Sequence, residues 1–152
     1  MNDIAKTKLM EAQTTALNGI ATAIEGVTLN NEEQVYIPAD ALAADVWERA
    51  IFKAPSDVTI KDVIVVPDSD IGQATNYMTL DVQDKGADGA GTTSIGLLAI
   101  NSTNTIEGMV GRDLVTTNAD VTSARVLSLK KTKAGDGQLW PGGLVIVKYT
   151  KV

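Results

Sequence analysis

From Ile51 to Val152 the chain is a series of short apolar runs, each closed by a turn signal. "VTIKDVIVV" (58–66) is β-branched and stops at Pro67. "NYMTLDVQ" (76–83) alternates, with Met78, Leu80 and Val82 on one side and Thr79, Asp81 and Gln83 on the other. "TTSIGLLAI" (92–100), "SARVLSLKKT" (123–132) and "GLVIVKYTKV" (143–152) follow, and the segments at Thr105–Val110 and Asp113–Thr117 can add two short strands. No helical period occurs after residue 50, and strands do not alternate with helices, which argues against a parallel α/β sheet. The pattern predicts a mainly β, antiparallel β-sandwich or barrel. In 58–66, Val58 and Ile60 share one phase while Val63 and Val65 share the other. That shift means a bulge near Lys61-Asp62 or a strand buried on both faces.

Residues 1–50 read differently. Asp3 can cap a helix, and Met10, Leu17 and Ile24 are spaced by seven, with Ile20 and Val27 on the same spacing offset by three. The repeat is short, and Thr14, Thr15, Asn18 and Gly19 weaken it, so such a helix needs something to dock on. Its own domain and a neighbouring molecule both remain open as that surface. Val35–Ile37 reads as a short extended segment before Pro38, and "ADALAADVW" as a helical turn or an irregular connection. Trp47 reads as a core or interface anchor. The expected organisation is a partly helical N-terminal arm over 1–50 and a β-sandwich domain over 51–152.

Composition narrows the function classes. A chain of 152 residues can bury a self-sufficient core, about 70% of its unfolded surface. With aromatics at 4%, that core must be built from Val, Ile, Leu and Ala. The net charge of −6 argues against nucleic acid as a main partner. Lys130, Lys131 and Lys133, the one basic cluster, read as a solvated strand end or turn. Neither Cys nor His occurs, which removes disulfides, thiolate sites, Ser-His-Asp triads and ordinary zinc sites within one chain. No apolar run approaches the roughly 20 residues that span a bilayer.

The stretch "DVQDKGADGAGTTSIGLLAI" (81–100) invites a ligand-loop reading. It lacks the Lys-Ser/Thr of a phosphate loop, opens a strand rather than a helix, and places Gly86 and Ile95 where a calcium loop needs oxygen ligands. Asp88-Gly89 between alternating strands predicts a hairpin turn. "KTKAGDGQLWPGG" (131–143) reads as a second hairpin connection, with Trp140 packing on a neighbour or exposed as a sugar-stacking platform. Asp68 and Asp70 make two carboxylates without a third, and turn chemistry accounts for them. No enzyme, cofactor or metal is expected.

Several of these runs carry a resemblance. "IFKAP" leads to "VIVVP", then to "NYMTLDVQDKGADGAGTT", with "VLSLKKTKAGDG" and "PGGLVIVKY" closing the series. This order resembles the β-sandwich domain of tailed-bacteriophage capsid decoration, cement and head-fibre proteins, over about the last hundred residues. The resemblance implies a jelly-roll-like virion protein on the outer surface of the capsid, made in the bacterial host cytoplasm. It also implies a homotrimer that binds the major capsid protein where its subunits meet. In that reading Met10, Leu17, Ile20, Ile24, Trp47 and Trp140 contact the shell or a neighbouring subunit. The alternative is a carbohydrate-binding module of a host-recognising fibre, with Trp140, Tyr77 or Tyr149 as platform.

Overall fold

The computed structural model describes Lys8 and residues 10–16, 30–115 and 117–152. Residues 8 and 10–16 are helical, and the rest is a β-sandwich. Its strands are β1 (Asn30–Ile37), β2 (Trp47–Lys53), β3 (Val58–Pro67), β4 (Tyr77–Asp84), β5 (Thr93–Ile100), β6 (Arg112–Asp113), β7 (Ala119–Val121), β8 (Val126–Ala134) and β9 (Gly143–Lys151). One sheet runs β1-β9-β3, with both β6 and β7 on the far side of β3. The other runs β2-β8-β4-β5. All pairings between these strands are antiparallel.

The topology is nested. β4 pairs with β5, β3 with β6 and β7, β2 with β8, and β1 with β9. The chain is therefore one long hairpin rolled on itself, and rolling adds the β3–β9 and β4–β8 contacts. This is a jelly-roll order: the residue pattern predicts an antiparallel sandwich or barrel, and the resemblance implies the jelly roll. The core lies between the sheets. Val58, Ile60, Val63, Val65, Val145 and Val147 face Met78, Leu80, Val82, Leu127 and Leu129, all buried. Burying each such side chain is worth about 1.5–3 kcal/mol. Phe52 and Tyr149 meet across the gap at 4.9 Å between ring centroids. The phase shift in β3 is a bulge: the register with β9 slips between Ile60 and Asp62.

Two expectations need correction. The sandwich begins at Asn30, not after residue 50. β1 pairs with β9 from Asn30↔Thr150 to Ile37↔Gly143, and β2 pairs with β8. Both are edge strands without regular alternation. In β1 only Ile37 is buried and most other positions are exposed, while β2 carries a register shift between Ala50 and Phe52. The second correction concerns 131–143. β8 and β9 lie in different sheets, so their connection is a crossover and not a hairpin.

The sandwich has two ends, roughly 25 Å apart at about 3.3 Å per residue along β9. The loops 38–46, 68–76, 101–111 and 135–142 meet at one, the tryptophan end. The loops 54–57, 85–92 and 122–125 meet at the other, the glycine end, where Asn30 also lies.

Candidate functional site

The tryptophan end is held by a polar hub in an apolar setting. Lys131 points inward from β8, between Trp47 on β2 and Leu80 on β4. Its side chain is 0% exposed and pairs with Asp40 Oδ2, whose side chain is 4% exposed. Trp47 Nε1 donates to Asp40 Oδ1 at 2.7 Å, and the Trp140 backbone N–H donates to Oδ2 at 2.9 Å. Asp40 N–H returns a bond to Trp140 O at 2.9 Å. Trp140 is fully buried, donates its indole N–H to Ile37 O at 3.2 Å and packs edge-on against Trp47 at 6.3 Å. Gly137 lets this loop close: its φ is +81°, and a Cβ there would lie 2.4 Å from Ala43 O. Leu42, Val46 and Leu139 stand exposed around the hub.

The outer face of the β1-β9-β3 sheet is the second feature. Ile64 and Val66 point away from the core, as do Leu144 and Ile146 on β9. Register places them in rows, Tyr36↔Leu144↔Val66 and Gln34↔Ile146↔Ile64. Tyr36 is 56% exposed, and its hydroxyl donates to Asp68 Oδ2 at 2.6 Å, which raises the phenol pKa. Further along the same face the residues turn polar, with Thr59, Lys61, Lys148 and Glu32. A solvated sheet face normally reads polar throughout. Half of this one is apolar, which is the texture of a surface that packs against something.

The glycine end carries turn chemistry. Gly86 and Gly89 have φ of +71° and +76°. Gly86 N–H donates to Asp84 Oδ1 at 2.9 Å, and Ala90 N–H donates to Asp88 Oδ1 at 3.1 Å. Arg125 grips Asp84 through Nε (2.9 Å) and a terminal nitrogen (2.8 Å). The β4–β5 stretch is a hairpin, as its sequence indicates. At the tryptophan end, Asp70 accepts from Gly108 N–H at 2.7 Å. Among the described residues no group of three or more carboxylates gathers to hold a metal ion.

Of the six expected contact residues, Met10, Trp47 and Trp140 are among the described residues. Leu17, Ile20 and Ile24 lie outside the described residues. Met10 is exposed on the short helix. Trp47 is half-buried in the hub. Trp140 needs correction: with no exposed surface its ring can neither touch a shell nor stack on a sugar. Tyr149 is buried as well, and Tyr77 is half-buried. Lys131 is likewise no solvated strand end. Missed altogether were Asp40 and the outer-face set Tyr36, Ile64, Val66, Leu144 and Ile146. The unbroken runs "VIVV" and "LVIV" were the available signal, because a half-solvated strand alternates and these do not.

No family model matches the chain, and no curated protein matches its sequence. Among solved structures, a Bacillus endospore appendage described as a disulfide-linked pilus aligns at 12% identity with a TM-score of 0.39. It covers 84% of this chain and 93% of its own. The Drosophila NLP-core aligns at 10% and 0.37, covering 82% and 98%. Infectious bursal disease virus of the Gx strain aligns at 12% and 0.34, covering 80% of this chain and 32% of its own. Likeness at this level assigns neither family nor function.

Proposed function

We propose that this chain is a non-enzymatic structural protein that decorates a tailed-phage capsid, binding the major capsid protein between subunits as a homotrimer. The observation that carries the reading is the apolar half of the outer sheet face, on a jelly roll whose loops are braced by internal hydrogen bonds. The order of strand and turn motifs, which resembles phage decoration proteins, points the same way. Tyr36, Leu144, Val66, Ile146 and Ile64 supply the contact, and the N-terminal segment binds a second surface. Each site adds a modest burial energy at about 25 cal/mol per Å², and repetition over a lattice multiplies it through avidity. Deep burial of Trp140 leaves the glycan-binding alternative without its main platform.

The test is binding to expanded, undecorated capsids, with copy number measured against the major capsid protein. We expect a ratio between one to one and one to a few. Ile64→Asp with Leu144→Asp should remain folded and lose binding. Removing residues 1–29 should also weaken binding while preserving the sandwich, whereas a cut at residue 50 would delete β1 and most of β2. A handful of copies per particle would overturn the reading.

A further inference from the structure

We propose that Lys131 and Asp40 join in an intramolecular isopeptide bond, an amide between Nζ and Cγ that ties the β1–β2 loop to β8. The pair sits between the sheets, under Trp47 and Trp140, with both side chains at least nine-tenths buried. Besides the carboxylate, the Lys131 ammonium meets Ala43 O at 3.5 Å. A buried ion pair gains little over an apolar pair of the same shape, since both charges have lost their water. A neutral amide in the same place removes both charges and keeps the geometry.

The surrounding groups suit the condensation. The proton passes from Nζ to Oδ2, giving a neutral amine and a neutral acid. The amine lone pair attacks Cγ, and negative charge develops on Oδ1, where the Trp47 indole N–H already donates. A proton then moves from the nitrogen to Oδ2, the C–Oδ2 bond breaks, and Oδ2 leaves as water. One N–C bond forms, one C–O bond breaks and one water is released. No oxidant, metal or cofactor takes part. The Trp140 N–H bonds to the departing oxygen, and surface grooves border Asp40 on two sides, one beside Asp45 and one beside Gly137, giving the water an exit. The fold holds amine and carboxyl in contact, which removes the entropic cost of their encounter.

The experiment is mass spectrometry of the full chain, intact and after tryptic digestion. The intact protein should be one water lighter than its sequence. The digest should yield one branched peptide carrying Lys131 and Asp40, with no cleavage after Lys131. Asp88-Gly89 and Asp136-Gly137 can also lose water by forming cyclic imides, so the location of the deficit decides, not the mass alone. Lys131→Arg should restore the full mass. Linear peptides holding unmodified Lys131 and unmodified Asp40 from the wild-type chain overturn the proposal, whether or not any variant folds. The outcome is independent of what the protein decorates.

Discussion

The two ends of the sandwich solve the same problem by different means. Both must turn the chain between sheets and satisfy the freed backbone groups. The tryptophan end does it with a dry hub, in which a buried Lys, a buried carboxylate and two indoles share hydrogen bonds. The glycine end does it wet, with Asx turns, left-handed glycines and the Arg125–Asp84 pair near the surface. Burial makes the first end rigid and intolerant. Solvent makes the second cheap to alter.

Mutations can test that contrast. Trp140→Ala should cost the most, about 3–5 kcal/mol, read as a lower urea midpoint. A loss under about 1 kcal/mol would mean that the hub can collapse around the gap. The same chemical change at both ends is sharper. Gly137→Ala combines a left-handed φ with a blocked Cβ, so about 3 kcal/mol is expected. Gly89→Ala meets nothing within 4 Å and pays only for its φ, about 1 kcal/mol. Equal costs would erase the distinction. Arg125→Ala, with a side chain 37% exposed, should lose no more than about 1 kcal/mol after solvent screening.

The smallest effect concerns acid stability on the outer face of the second sheet. Lys85 at 2.9 Å and the Ser128 hydroxyl at 2.6 Å hold the Glu48 pKa below its ordinary value of 4.5. Folding therefore favours the ionised carboxylate. The stabilisation is complete above pH 4.5 and is lost as pH falls through the lower folded value. Glu48→Gln should flatten that acid limb by a few tenths of a kcal/mol in denaturation measured between acid and neutral pH. An unchanged limb would remove Glu48 from the account.

Much of the fold could be read from local patterns. β4 alternates cleanly, the bulge in β3 shows as a phase change, and Asp88-Gly89 marks its hairpin. What stayed hidden depends on distant partners. β1 is polar because it is an edge strand that buries Ile37 alone, so its text resembles a loop. Lys131 sits among other lysines in sequence, and only Asp40, ninety-one positions earlier, makes its burial tolerable. Trp140 follows a Gly-Asp-Gly turn signal and looks exposed, yet the crossover between sheets carries it inward. The outer apolar face was written in the sequence, but reading it required knowing which face of β3 and β9 meets the core.

The nested pairing has a kinetic consequence. β9 is the shared neighbour of β1 and β3, so neither strand has its main partner until residues 143–151 exist. Contact order among the described strands is therefore high, and the slow step of folding them is closing the loop between β1 and β9. On the ribosome, the β2-β8-β4-β5 sheet can assemble while β1 waits unpaired with its row of Asn and Glu residues. Those polar side chains keep a waiting edge from joining another chain. The residues that blurred β1 in the sequence thus protect the nascent chain until β9 arrives.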